Sequence, residues 1–163
     1  MKIYFQKKDF NLSKELNNFS KKNKKVGSII SFVGKVRPFN NNKKIESMKI
    51  DCYKKMALYQ TEKIIDILIS KGDIVDYQVI HRFGKLFPSE NIILILVASK
   101  HRKEGFFFIE KLIEWFKSKI TFWKKEFYLN SSIWLKSQKE SYLVTNFLKF
   151  SIKNFVVLPT RNL

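Results

Sequence analysis

The chain has 163 residues, a formal net charge of +18 at pH 7 and a hydrophobic fraction of 45%. This length is typical of one domain, and the hydrophobic fraction is enough to build a buried core. The sequence has no run of about eighteen apolar residues and no signal-like N-terminal core, so we expect a soluble cytoplasmic protein. Its single cysteine, Cys52, excludes an internal disulfide and a CxxC metal site.

The high positive charge is compatible with binding to nucleic acid or to an anionic membrane surface. The lysines are, however, spread along the whole chain instead of forming one block. Lys, Asn, Ile and Phe are over-used together, which indicates a general drift in residue usage. We therefore interpret most of the charge as solvated background, and we keep nucleic-acid binding as an alternative.

The predicted elements follow the order β-α-β-β-α-β-β-α-β-β, which indicates an α+β fold with a mixed, mainly antiparallel sheet. Hydrophobic patterning predicts strands at 2–6, 26–33, 45–53, 74–82, 91–99, 123–128 and 132–136. Helices are predicted at 11–20, at 54–71 and over the stretch from His101 to Lys117. The polar run at 40–43 is predicted to be a turn in a mobile loop. The strand at 91–99 is the most hydrophobic and should lie centrally in its sheet.

Motifs for nucleotide, metal or serine-hydrolase chemistry are missing. The glycines form neither a GxGxxG nor a Walker loop, and no nucleophile elbow occurs. Two histidines and one cysteine lie at spacings that do not suit a metal site. We therefore predict that the protein uses no metal and no cofactor.

A set of basic residues around the third predicted helix is the main candidate site. His101 and Arg102 lie at a strand-to-helix junction, where a helix N-terminus favours anions. Lys117 follows Phe116 at the edge of the apolar face, so its ammonium can reach a cavity or solvent. His81, on a predicted strand, is more typical of a packed residue. Together the basic residues favour an anionic substrate.

Four short blocks carry a resemblance to a known family. They are 32–37 (FVGKVR), 79–84 (VIHRFG), 99–102 (SKHR), and Lys117 followed by 122–126 (FWKKE). Trp134 follows the last block at a fitting distance. In this order and spacing the blocks resemble the molybdopterin synthase catalytic (large) subunit family, over roughly residues 27–135.

The resemblance implies an α/β-hammerhead-like fold and an enzyme of molybdenum cofactor biosynthesis. Such an enzyme converts cyclic pyranopterin monophosphate into molybdopterin by inserting two sulfurs as a dithiolene. The sulfur arrives as a thiocarboxylate on the C-terminal glycine of a small, ubiquitin-like partner subunit whose tail ends in Gly-Gly. Two large subunits dimerise at the centre of a heterotetramer.

The resemblance also assigns roles by position. Lys117 and Lys124 match the two catalytic pocket lysines. The substrate-binding positions are matched by Arg37, His101 and Arg102. The apolar wall of the partner-tail pocket is matched by Phe32 and Ile113.

The C-terminal end departs from the family pattern. A basic residue that reaches a neighbouring active site is expected after the tryptophan, but the aligned residue is Gln138, with Lys136 and Lys139 as possible replacements. We therefore divide the chain into a synthase-like domain at 1–137 and an extension of unassigned role at 138–163. The departure at Gln138 also leaves a degenerate, inactive subunit as an alternative.

Overall fold

The computed structural model describes residues 1–135. These residues form three helices: α1 (Leu12–Lys22), α2 (Lys54–Ile69) and α3 (Arg102–Ser118). They also form ten strands: β1 (Lys2–Gln6), β2 (Ser28–Lys35), β3 (Phe39–Asn40), β4 (Lys43–Lys44), β5 (Ser47–Cys52), β6 (Ile74–Arg82), β7 (Gly84–Leu86), β8 (Asn91–Ser99), β9 (Phe122–Tyr128) and β10 (Ser131–Trp134). The predicted α+β class is confirmed.

The larger core is built around a four-stranded sheet with the order β1-β6-β8-β2. β1 pairs with β6 in parallel, whereas β8 is antiparallel to both of its neighbours. All of β8 after Asn91 is buried, which agrees with its continuous apolar sequence. The prediction that this strand is central is confirmed, and its C-terminal end leads directly into α3.

A second sheet carries residues of the candidate site. Its order is β10-β9-β5-β7, and every pair in it is antiparallel. In the β5–β9 register, Ile50 lies opposite Lys124 and Met48 lies opposite Glu126. The division into two sheets, and the short strand β7, were not predicted from the sequence.

Helix α3 packs its apolar face on β2 and β8. Its buried side chains include Phe108, Ile109, Leu112 and Phe116, which follow the helical spacing seen in the sequence. Gly105 allows the close approach: a Cβ atom there would lie 2.8 Å from Cδ1 of Ile30 and 2.9 Å from Oγ of Ser99. The first turn of α3 is therefore fixed against the sheet, and this sets the position of its far end.

The polar run at 40–43, predicted to be a turn in a mobile loop, is the turn of a tight β-hairpin whose two short strands were not predicted. β3 and β4 pair through Asn40 and Lys43. Asn41 and Asn42 have φ values of 48° and 60°, in the left-handed region that two-residue hairpin turns require. Asparagine tolerates this region better than most residues, so the Asn-Asn pair was the available signal.

Several predictions concern residues outside 1–135. Lys136, Gln138, Lys139 and the extension at 138–163 lie outside the described residues, so the proposed division of the chain stays a prediction. No helix among the described residues is long and apolar enough to cross a membrane.

Candidate functional site

A cavity of about 420 Å³ lies where the C-terminal end of α3 meets β2 and β9. It brings together five of the seven site residues predicted from the sequence. They come from distant parts of the chain: Phe32, Arg37, Ile113, Lys117 and Lys124. The fold therefore places two predicted apolar walls and three predicted cations around one space.

The two lysines of the cavity differ in their surroundings. Lys117 is exposed in the last turn of α3, whereas Lys124 is partly buried on β9. Burial lowers the pKa of Lys124, and the positive charge of Lys117 lowers it further. Lys124 is therefore the pocket cation that gives up its proton more readily than an ordinary lysine.

This coupling gives a testable pKa change. Lys117→Ala should raise the pKa of Lys124, because it removes a like charge that disfavours the protonated ammonium. An NMR titration of the lysine side chains would measure it. Lys55→Ala, on the exposed start of α2, is the matched control and should leave the pKa of Lys124 unchanged. An unchanged pKa in both variants would show that the two pocket lysines do not interact.

A buried carboxylate anchors the polar rim of the cavity. Glu126 is fully buried, and Oε2 accepts hydrogen bonds from Nδ2 of Asn40 at 2.8 Å and the Tyr128 hydroxyl at 2.6 Å. Oε1 lies 3.5 Å from Nη2 of Arg37, whose side chain is 55% exposed. The Glu126 hydrogen bond raises the pKa of Tyr128. Glu126 thus holds one side of Arg37 while the rest of the guanidinium stays available to a ligand.

Sequence reasoning gave Glu126 no role. Its signal was an acidic residue inside a basic and aromatic run that was predicted to be a strand. The partner Asn40 could not be found from the sequence, because it reaches the site only through the β3–β4 hairpin.

His81 is a second cavity residue whose use the sequence did not reveal. It is only 1% exposed, and its ring stacks on Phe122 at 3.9 Å between ring centroids. Nδ1 lies 2.8 Å from the carbonyl oxygen of Arg82. Burial, and then the charge of Lys124, lower the pKa of His81 to about 3. The imidazole is therefore neutral at neutral pH.

His101 and Arg102 do not join the cavity of their own chain. Both are exposed at the start of α3, while Lys117 lies in its last turn. At 1.5 Å per residue, Arg102 and Lys117 are about 22 Å apart along the helix axis. Within one chain the straight helix therefore holds these two residues away from Lys117, and their role in substrate binding stays a prediction.

The chain is similar to known proteins in sequence and in fold. The sequence model described as MoaE protein matches residues 5–119. The molybdopterin synthase catalytic subunit of Ralstonia nicotianae is 34% identical over 136 residues, covering 83% of this chain and 77% of the relative. The protein of the same name from Pyrococcus abyssi is 31% identical over 131 residues, covering 80% and 87%.

A solved structure agrees with these sequence matches. The molybdopterin biosynthesis MoaE protein from Burkholderia ambifaria superimposes with a TM-score of 0.74 at 26% identity, covering 91% of this chain and 97% of that one. The family match spans most of the chain and includes three of the four sequence blocks. The chain therefore belongs to the MoaE protein family.

Proposed function

We propose that this chain is the catalytic subunit of a molybdopterin synthase and acts in the cytoplasm. It transfers sulfur from the thiocarboxylated C-terminus of a small ubiquitin-like subunit to cyclic pyranopterin monophosphate, forming the dithiolene of molybdopterin. The observation that carries this proposal is the single cavity that joins Lys117, Lys124 and Arg37 with the apolar walls Phe32 and Ile113. The two relatives named above are both catalytic subunits of molybdopterin synthase.

The cavity suits a reaction between two anions. A cyclic phosphate and a thiocarboxylate repel each other in solution, and clustered cations offset that repulsion. Lys117 and Lys124 would hold the thiocarboxylate, while Arg37 would hold the phosphate. Lys124, whose pKa is lowered, would exchange a proton as the sulfur is transferred.

The apolar walls suit the thin tail of the partner. A tail that ends in Gly-Gly carries no side chains at its last two residues, so it can enter a narrow channel. Phe32 and Ile113 are half-buried in the cavity lining and would contact this backbone. The tail would then end beside Lys117 and Lys124.

A capture experiment tests this proposal. The intact partner should bind, and removal of its two terminal glycines should abolish productive capture. Added salt should weaken the complex only moderately, because partly buried ion pairs are screened less than exposed ones. The measurement is a pull-down with intact and truncated partner over a salt series, with a random oligonucleotide as the competing ligand. Oligonucleotide binding with a steep salt dependence, together with no effect of truncation, would replace the synthase by a nucleic-acid-binding module.

His101 and Arg102 would act on the cavity of a second copy of the chain. Their distance from Lys117 prevents all three from holding one small anion in the same protomer. A symmetric dimer, the expected centre of the heterotetramer, can bring the start of one α3 to the cavity of its partner. In that arrangement both residues would hold the substrate rather than the partner tail.

Complementation between variants tests the shared site. Lys117→Ala and Arg102→Ala should each be inactive alone, but their equimolar mixture, refolded together, should recover roughly one quarter of the sites. Half of randomly paired dimers are mixed, and each mixed dimer has one intact site. A mixture of Lys117→Ala with Lys124→Ala is the matched control and should recover nothing. Equal recovery in both mixtures, or none in either, would argue against a shared site.

A further inference from the structure

The cavity is rich in hydrogen-bond donors and poor in acceptors. Its polar lining includes the cations of Lys35, Arg37, Lys117 and Lys124. Lysine, arginine and tryptophan side chains donate hydrogen bonds but accept none. Among the lining side chains, all within residues 1–135, only Glu126 and His81 carry a strong acceptor.

Glu126 is already engaged by the protein. Its Oε2 accepts two hydrogen bonds, from Asn40 and Tyr128, and its Oε1 faces Arg37. A ligand that needed an acceptor would have to displace one of these partners from a fully buried carboxylate. This would leave a partly buried polar group without its hydrogen bond. Glu126 is therefore a poor acceptor for a ligand.

His81 has one free acceptor, and its tautomer follows from its contacts. A carbonyl oxygen can only accept, so Nδ1 must carry the proton that is donated to the Arg82 oxygen. In a neutral imidazole the other nitrogen, Nε2, then carries a lone pair. Nε2 is not fully enclosed by the protein, because within residues 1–135 the one fully enclosed side-chain polar atom without a hydrogen-bond partner is Oε2 of Glu104. Nε2 of His81 thus keeps access to the cavity that the residue lines.

His81 stays neutral over the physiological pH range. Burial is the main reason that its pKa lies at about 3, and the nearby Lys124 ammonium adds to the effect. The hydrogen bond to the Arg82 carbonyl acts in the opposite direction but is outweighed. Nε2 therefore remains an acceptor at neutral pH.

We propose that Nε2 of His81 accepts a hydrogen bond from an N–H or O–H group of the molecule bound in this cavity. His81 thereby selects an anion that also carries a donor over a plain anion of similar charge. This inference rests on the proposed function, in which the bound molecule is cyclic pyranopterin monophosphate. The pterin ring of that molecule supplies N–H donors, and its phosphate supplies the charge that the cations bind.

Two substitutions separate the acceptor of His81 from its structural hydrogen bond. His81→Asn keeps an amide nitrogen near the position of Nδ1, so the bond to Arg82 can survive while the Nε2 acceptor is lost. His81→Gln instead places an amide oxygen near the position of Nε2. Thermal unfolding of both variants would verify that they remain folded.

The experiment compares two probes, cyclic pyranopterin monophosphate and sulfate, by calorimetric titration of the full chain. His81→Asn should weaken pyranopterin binding roughly ten-fold, the effect of one hydrogen bond, and should leave sulfate binding unchanged. Sulfate carries no donor at neutral pH. His81→Gln should bind pyranopterin more tightly than His81→Asn.

An NMR measurement on the unmodified chain does not depend on the variants. The sequence has two histidines, so the ¹⁵N resonances of His81 can be assigned by comparison with His101→Ala. The Nε2 resonance should move when pyranopterin is added and should move far less with sulfate. A resonance that ignores pyranopterin overturns the proposal, even if both variants fail to fold.

The remaining outcomes also decide the question. Wild-type affinity in His81→Asn would overturn the role of His81 while leaving the proposed function intact. Equal loss of both probes would mean that His81 orients Lys124 and does not contact the ligand. If the unmodified chain binds no pyranopterin at all, with or without its partner, the proposed function and this inference both fail.

Discussion

Lys117→Ala should lower the rate of dithiolene formation by roughly 10²–10⁴-fold, the span of one positioned proton-transfer or charge-stabilising group. Lys117 lines the cavity at the end of α3, yet its side chain is exposed. Its removal should therefore leave the fold intact. The measurement is molybdopterin formed from purified pyranopterin and thiocarboxylated partner, with circular dichroism to verify folding.

Two further variants sharpen the interpretation of Lys117. Lys117→Arg keeps the charge but should also be impaired, because a broad, planar guanidinium does not reproduce the compact point charge of an ammonium beside the thiocarboxylate. Lys55→Ala removes one exposed lysine from α2 and should retain full activity. Wild-type activity in a folded Lys117→Ala variant would contradict the catalytic assignment.

Glu126→Ala should lower the free energy of unfolding by about 2–4 kcal/mol, since three polar groups lose their shared buried partner. Asn40 and Tyr128 would lose hydrogen bonds of 2.8 Å and 2.6 Å, and Arg37 would lose its anchor. Urea unfolding measures the loss. The substrate KM should rise as well, because Arg37 would no longer be held at the cavity rim.

The control for Glu126 separates charge from hydrogen bonding. Glu126→Gln keeps one carbonyl oxygen that can accept from Asn40 and Tyr128, so it should lose less stability than Glu126→Ala. Arg37 would still lose its ion-pair partner in this variant. If both variants were as stable as the wild type, the buried carboxylate would not anchor the hairpin.

The sequence predicted the helices and strands well where a single hydrophobic periodicity dominates the segment. The strands at 2–6, 74–82 and 91–99 are confirmed to the residue, because each is a dense apolar or alternating run. The β3–β4 hairpin and β7 were missed, since strands of two or three residues are too short to show a period. Turn chemistry alone marked the hairpin, through Asn41 and Asn42.

The sequence could not show which of the predicted site residues lie close together in the folded chain. Spacing and family resemblance selected Arg37, Lys117 and Lys124, which the fold brings to one cavity. The same reasoning grouped His101 with Lys117 because both flank one helix in the sequence. A helix of 17 residues separates its ends instead of joining them. Glu126 meets Asn40 and Arg37, and His81 meets Phe116 and Phe122, only because the fold brings distant parts of the chain together, so the sequence did not show how either residue is used.

The described cavity also bears on the two alternative functions. A nucleic-acid-binding module would place its cations along an open face, whereas the cation of Lys124 is recessed in the cavity, where the carboxylate of Glu126 also lies. A degenerate subunit would be free to lose its pocket lysines, yet Lys117 and Lys124 are both present and line the same cavity. The contact expected near Gln138 belongs to residues beyond 135 and stays a prediction.

The topology of the first sheet has a consequence for synthesis of the chain. β1 pairs with β6, joining Lys2 to Gln78, and β2 pairs with β8, joining Ser28 to Ser99. β1 therefore has no strand to pair with until β6 has left the ribosome, and β2 has none until β8 has left it. At a synthesis rate of about 5–20 residues per second, roughly 4–14 s pass between the synthesis of β2 and that of β8. Pairings this distant in sequence also slow folding itself. The apolar strand β2 is therefore exposed to other nascent chains for seconds, and a holding chaperone should raise the yield of folded protein.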